Sequence, residues 1–153
     1  MVINSISTLT CLILFALNQS TVPQPIDSDE LINRTVTKIA AGANHAACIT
    51  ESGECFLWGM SLHLEPIRMA ELLHTKIVDI QCGNDYTLAL SEDAQLYVWG
   101  KGKTGVLGKG SSVKNLNQPK LLQTLDGVTQ ISAGWAHAGC LASSSTVLEG
   151  KSS

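Results

Sequence analysis

The stretch IVDIQCGNDYTLALSEDAQLYVWG, residues 77–100, decides the fold of this chain, because the sequence repeats it. Its first part aligns without a gap with VTKIAAGANHAACI (36–49) and with VTQISAGWAHAGCL (128–141). Its second part, SEDAQLYVWG (91–100), aligns with TESGECFLWG (50–59). Self-similarity of this length is typical of repeat architectures, in which each repeat forms one supersecondary unit.

Each repeat places the same few residue types at the same positions. A glycine is followed three residues later by a ring with a polar tip, and the hairpin ends in Trp-Gly. We expect the glycine to serve a positive φ or a close backbone approach, and the ring to make a structural hydrogen bond between repeats. The tryptophan supplies a large buried area, and its N–H needs a partner. The repeat-structural residues are Gly42, His45, Trp58, Gly59, Gly83, Tyr86, Trp99, Gly100, Gly134 and His137.

The apolar runs of the repeat have the pattern of β-strands. Polar residues at 50–54 and 91–95 separate these runs and predict hairpin turns. The runs ECFLW and QLYVW are apolar at nearly every position, as expected of strands that are covered on both faces. Blades stacked around a propeller cover their sheets in this way. MAELLHT (69–75) is the single helix-like stretch, and it is too short to predict a helix. The sequence predicts an all-β fold.

The full pattern is I-x-x-I-x-x-G-x-x-[HY]-x-x-x-[IL], then a polar turn, an apolar strand and Trp-Gly. This pattern resembles the regulator of chromosome condensation repeat, and WGKGKTGVLGKG (99–110) is similar to the glycine-rich segment of that family. The resemblance covers about residues 20–142, or about two and a half repeats. It implies a partial β-propeller of four-stranded antiparallel blades, an open fragment of the family's seven-bladed type.

The repeats depart from the family pattern at several places. After Gly59 the first repeat reads MSLHLEPIRM and lacks the glycine-rich loop, whereas the second has Ala94 where the hairpin glycine is expected. The chain therefore divides into an apolar N-terminal segment (1–20), the repeats (21–142) and a polar tail (143–153). The apolar run within residues 1–20 is too short to span a bilayer. A signal-like segment, a buried strand and a stretch outside the main fold remain alternatives for it.

The glycine-rich loop also contains fragments of two phosphate-binding motifs. Gly100, Gly102 and Gly105 match G-x-G-x-x-G, and Lys103 follows Gly102 as in a P-loop, although Tyr97 occupies the place of the first P-loop glycine. Both motifs need a helix directly after the loop, because its N-terminal N–H groups bind the phosphate. The continuation VLGKGSSVKNLNQPK contains glycines and a proline that prevent such a helix. We expect a tight connection between strands, and no cofactor.

Neither the histidines nor the cysteines form a pattern that indicates catalysis or metal binding. Aligned cysteines replace small or apolar residues of the other repeats, which predicts core thiols, and no C-x-x-C occurs. A reactive pair of Cys48 and His45 is the alternative. Acidic pairs lie in turns or linkers, where solvation explains them. The sequence therefore predicts a protein that is not an enzyme.

Positive charge is concentrated in one part of the chain. The whole chain has a formal net charge of −3, which argues against electrostatic binding of nucleic acid. No Asp or Glu lies between residues 101 and 120, a segment with five lysines. A solvated loop and a docking patch for an acidic partner are the two interpretations. The candidate interaction loop comprises Lys101, Lys103, Lys109, Lys114 and Lys120.

These features favour a non-catalytic protein–protein interaction or scaffold module, either alone or as a fragment or isoform of a longer protein. The family resemblance implies an alternative, a guanine-nucleotide exchange factor, or part of one, for a Ran-like small GTPase. Expected partners are proteins, with no membrane span and no specific nucleic acid. An incomplete set of blades leaves edges and apolar faces open, which predicts self-association. A cytoplasmic or nuclear location is expected, with secretion as the alternative.

Overall fold

The structure is a computed structural model, which describes residues 26, 28–59, 63–102, 105–110 and 113–143. The apolar segment 1–20, the tail beyond residue 143 and Lys103 lie outside the described residues, so what the sequence predicts for them stays a prediction. Within the described residues, the strands form two four-stranded antiparallel sheets and one two-stranded antiparallel sheet. We name these sheets blades 1, 2 and 3 in chain order.

In each blade the strands are hydrogen-bonded in the order of the sequence. Blade 1 contains β1 (Val36–Ala41), β2 (His45–Thr50), β3 (Cys55–Gly59) and β4 (His63–Arg68). Blade 2 contains β5 (Ile77–Cys82), β6 (Tyr86–Ser91), β7 (Leu96–Lys101) and β8 (Asn115–Leu121), and blade 3 contains β9 (Val128–Ala133) and β10 (Ala138–Ala142). Two short 3-10 helices occupy Asp29–Leu31 and Ala70–Leu72. The predicted all-β fold of four-stranded antiparallel blades is confirmed as an open, partial propeller.

The polar segments between apolar runs form tight hairpin turns, as the sequence predicts. The amide of Thr50 donates to the carbonyl of Glu54 at 3.0 Å, and that of Ser91 donates to Gln95 at 2.9 Å. Gly53 has a φ of 83° in the first turn, and Ala94 has a φ of 59° at the aligned position of the second. The turn therefore requires a left-handed residue at this position, and the second repeat meets that requirement without glycine.

The outermost strands, β4 and β8, are the elements that the sequence did not reveal. The register pairs Leu57 with Ile67 and Val98 with Lys120, so Pro66 and Pro119 occupy equivalent positions in the two strands. A strand with proline is compatible with a sheet edge, because proline has no N–H to donate to a further strand. The prolines thus mark the edges of blades 1 and 2.

The apolar core lies between the blades. Every residue of β2 and β6 is buried, and β3 and β7, which the sequence predicts to be covered on both faces, are buried at most of their positions. One cluster joins blades 1 and 2 through residues that include Ile49, Ile80 and Trp99, and a second joins blades 2 and 3 through Leu90, Val128 and others. The first strand of each following blade packs against the first two strands of the preceding one. None of the helices in these residues is long and apolar enough to cross a bilayer.

Candidate interaction surface

The glycine and the ring three residues later form the same turn in all three blades. The amides of Gly42, Gly83 and Gly134 each donate to the carbonyl of the ring residue, at 2.8 Å. None of these glycines has a positive φ. A Cβ on Gly83 would lie 2.0 Å from the ring of Tyr86, and one on Gly134 would lie 2.4 Å from the ring of His137. Glycine is therefore needed at these positions for a close approach and not for a positive φ.

Two of the three rings connect neighbouring blades. Nε2 of His45 lies 2.9 Å from Oγ1 of Thr87 in blade 2. The hydroxyl of Tyr86 donates to the carbonyls of Gly134, at 2.9 Å, and His137, at 2.5 Å, both in the blade 3 segment. His137, in contrast, is exposed. Burial lowers the pKa of His45, although the charge of Asp85 acts in the opposite direction, so the neutral ring is favoured.

The Trp-Gly pairs lie at the ends of the third strands of blades 1 and 2, where Gly59 is the last residue of β3 and Gly100 precedes the last residue of β7. Gly59 and Gly100 have φ angles of 99° and 105°, and a Cβ on Gly100 would lie 2.3 Å from the carbonyl oxygen of Asp85. Trp58 and Trp99 are 2% and 4% exposed. Neither indole N–H has a hydrogen-bond partner among the described residues. The rings lie among apolar side chains, which stabilise them by packing and offer few acceptors.

The glycine-rich loop between β7 and β8 is anchored by an apolar side chain. Leu107 is 1% exposed and belongs to the cluster between blades 2 and 3. A Cβ on Gly102 would lie 2.3 Å from the Leu107 side chain, and the Gly102 amide donates to the carbonyl of Lys114 at 2.9 Å. In its described part the loop leads into β8 and not into a helix. In its described part, the arrangement is the tight connection between strands that the sequence predicts.

The described lysines of the candidate interaction loop separate into two groups. Lys101 and Lys114 are exposed and lie at one end of the β7–β8 pair, because Lys101 pairs with Asn115. Lys120 pairs with Val98, about 17 Å further along β8 at ~3.4 Å per residue. Nζ of Lys109 donates to the carbonyl of Leu121 at 2.6 Å, near Lys120. The amino group of Lys109 is thus engaged in holding the loop.

A cleft of about 540 Å³ lies between blades 1 and 2, near their outer strands. Apolar side chains that include Ile67, Trp99 and Leu116 line it, together with the charged side chains of Arg68, Glu71 and Lys101. The indole N–H of Trp99 has no partner among the described residues, but neither has that of Trp58, which does not line this cleft. The N–H without a partner is therefore a property of the repeat and not evidence of a ligand.

The thiols of the described residues have the environment of core side chains. Cys48 and Cys55 are buried, Cys82 and Cys140 are half-buried, and no disulfide joins these four. Burial raises the pKa of Cys82 to about 12 and raises that of Cys55 still further. Neither of these two groups forms a thiolate near neutral pH. No three metal-ligating side chains converge among the residues that the structure describes.

Solved structures with the same fold are propellers of greater length. Human WBSCR16 matches with a TM-score of 0.72 and 22% identity, over 87% of this chain and 37% of that one. Prp20p from Saccharomyces cerevisiae matches with a TM-score of 0.67 and 17% identity, over 80% of this chain and 34% of that one. Yeast RCC1 (Prp20) bound to Kap60 gives a TM-score of 0.66 and 22% identity, over 78% and 32%. This chain therefore spans about a third of the proteins that share its fold.

No curated protein sequence matches the chain. Two models of the regulator of chromosome condensation (RCC1) repeat do match it, one over residues 36–63 and 77–105 and the other over residues 93–141. These matches include both Trp-Gly pairs, the three glycine–ring turns and the glycine-rich loop. Since they cover more than half of the sequence and agree with the blades of the structure, the chain belongs to the RCC1 repeat family.

Proposed function

We propose that this chain is a non-catalytic scaffold module that binds a protein partner through the loop between β7 and β8. The observation that carries the proposal is the anchoring of this loop by Leu107, which is buried between two blades. A loop held on a rigid scaffold keeps its exposed side chains in place, and such loops are frequent binding sites. The membership of the chain in a family of propeller repeats supports the same role.

The partner that fits this loop is an acidic protein segment. Lys101 and Lys114 project from the same end of the β7–β8 pair, and both are exposed. The nearest acid to Lys101 is Asp85, whose carboxylate lies 3.9 Å from Nζ, at the limit of an ion pair. This weak pairing leaves the positive charge available to a partner.

The test is a quantitative pull-down with a variant that combines Lys101→Gln and Lys114→Gln. We expect partners to bind about three- to tenfold more weakly, since exposed charges contribute up to about 1 kcal/mol each. Added salt should weaken binding of the wild type more than that of the variant. The matched control is Lys76→Gln, which removes an exposed lysine paired with Glu92 in a hairpin turn. Equal capture of the same partners by all three proteins would argue against the loop.

The alternative function is guanine-nucleotide exchange on a Ran-like GTPase, or a part of that activity. It rests on likeness in fold to Prp20p, whose structure is described together with its binding to Gsp1p and histones. A fold match at 17% identity does not transfer that activity, and this chain covers 34% of that protein. The rate of GDP release from a Ran-like GTPase, measured with excess chain, decides the question, because an unchanged rate removes this alternative. The proposed location, cytoplasm or nucleus, follows from the same likeness.

A further inference from the structure

In blade 1, an isoleucine is exposed at a position where the aligned isoleucines of blades 2 and 3 are buried. Ile80 and Ile131 are 0% and 3% exposed, because each packs against the preceding blade. Ile39 holds the same position in β1 and is 51% exposed. Ala41, on the same strand, is exposed as well, whereas its counterparts Cys82 and Ala133 are half-buried. The exposed side of β1 formed by Ile39 and Ala41 is called the head face below.

The other end of the series shows the complementary difference. Ile49 and Leu90 are 2% and 5% exposed, because the following blade covers them. Leu141 holds the same position in β10 and is 62% exposed. The ring of His137 is exposed, although its counterparts His45 and Tyr86 are each 1% exposed. Together with Trp135, which is 70% exposed, His137 and Leu141 form what is called the tail face.

Hydrogen bonds between blades follow the same series. The amide of Ala43 donates to the carbonyl of Asn84 at 3.2 Å, and the amide of Asn84 donates to that of Trp135 at 3.4 Å. These three residues occupy one repeat position. By this pattern, the amide of Trp135 would donate to the carbonyl at the same repeat position of a following blade. In blade 1, the carbonyl at that position is the carbonyl of Ala43.

We propose that the tail face binds the head face of a second copy of this chain, in the arrangement by which each blade binds the next. The chain itself shows this interface twice, between blades 1 and 2 and between blades 2 and 3. In both cases the first strand of the later blade packs against the first two strands of the earlier one. The pair formed between two copies is β1 of one against β9 and β10 of the other.

The rest of blade 1 is compatible with this docking. Phe56 and Trp58, on the same side of the blade as Ile39, are already covered in a cluster that includes Ile26 and Leu31. That cover includes Val36 of β1 but leaves the head face open, and the first strand of a blade is the strand that packs against the preceding blade inside the chain. The nearest charge on β1, Lys38, is paired with Asp79 at 2.6 Å, and β9 carries no charged residue. No like charges therefore face each other across the contact between the head face and the tail face.

The head and the tail are different surfaces, so the contact is heterologous. Each copy carries one head and one tail, and association can therefore continue beyond a pair unless the copies close into a ring. The β7–β8 loop takes no part in this contact. The proposal is thus independent of the partner binding proposed above, and either can fail without the other.

The experiment measures the solution mass of the full chain by light scattering over a dilution series, with circular dichroism on each sample. Ile39→Lys blocks the head and Leu141→Asp blocks the tail, and both substitutions replace exposed side chains, so the fold should tolerate them. Leu64→Lys is the matched control, because Leu64 is 98% exposed but lies on neither face. We expect the wild type and Leu64→Lys to reach a mass of at least two copies as concentration rises.

Each blocked variant alone should remain at the mass of one copy. An equimolar mixture of the two should form a discrete pair and stop there, because one protein supplies an intact tail and the other an intact head. A monomeric wild type overturns the proposal, and so does association that both variants retain. Loss of association in Leu141→Asp but not in Ile39→Lys also overturns it, since that result means tail-to-tail contact.

Discussion

Gly83 shows how a single residue type makes the repeat possible. Its missing side chain leaves the space that the Tyr86 ring occupies, and that ring reaches blade 3 with its hydroxyl. Glycine is needed here for a close approach and not for its backbone freedom. The glycine and the ring three residues later are therefore required together, because the ring fits only where the glycine has no side chain.

Replacement of Gly83 by alanine should destabilise the chain by about 2–3 kcal/mol, because the new Cβ displaces the Tyr86 ring from a well-packed site. Chemical denaturation followed by tryptophan fluorescence measures the change. Gly139→Ala is the control, since a Cβ there meets nothing within 4 Å and the expected change is below about 0.5 kcal/mol. Equal effects of the two substitutions would contradict the role assigned to Gly83.

Ala94 is the residue at which the second hairpin departs from the first. Its φ of 59° is left-handed, which costs a residue with a Cβ about 1–2 kcal/mol. We expect Ala94→Gly to raise the free energy of unfolding by about 0.5–1 kcal/mol, because the added entropy of the unfolded chain offsets part of the relief. The reverse change, Gly53→Ala, should destabilise, since its Cβ would lie 2.3 Å from Cγ of Lys76. Thermal unfolding of both variants checks the opposite signs.

At the scale of elements, one buried hydrogen bond joins the second strands of blades 1 and 2. His45 on β2 is bonded to Thr87 on β6, and both side chains are buried. Because burial favours the neutral ring, the pKa of His45 in the folded chain lies below its ordinary value of 6.5. The contact between blades 1 and 2 thus contains a group whose protonation opposes folding.

The folded chain should therefore lose stability in acid. The unfolded state binds a proton more readily at His45, so the contribution is complete above pH 6.5 and decreases as the pH falls from there through the lower folded pKa. Urea unfolding between pH 7.5 and about pH 5 measures it. His45→Gln keeps a polar group near Thr87 and cannot titrate, so its unfolding should change less over this range. Parallel curves for the two proteins would show that His45 does not contribute.

For the whole molecule, stability should be greatest in blade 2, which is the one blade packed on both faces by described blades. All residues of β6 are buried between β5 and β7, whereas four of the five residues of β10 are exposed. We expect amide hydrogen exchange in β6 to be about a hundredfold slower than in β10 at low protein concentration. Mass spectrometry of peptic fragments resolves the two strands, and uniform protection would contradict this order.

How far the sequence predicts the molecule depends on how local each feature is. The hairpin turns around Gly53 and Ala94 and the turn from Gly83 to Tyr86 involve residues less than one repeat apart, so the aligned sequences reveal them. The strands β4 and β8 were missed, because their apolar pattern is weak. The candidate lysines were identified by composition alone, and composition does not show which amino groups are engaged.

The repeat, the all-β class and the family were determined by the sequence itself, because hydrophobic pattern and glycine placement act over short stretches of chain. Only the tertiary structure decided which equivalent residues are covered and which are open. Ile39 and Ile80 have the same side chain and the same place in their strands, yet they are 51% and 0% exposed. The physical reason is that a side chain becomes buried only when a second surface packs against it. The local sequence pattern does not encode whether a neighbouring blade supplies that surface.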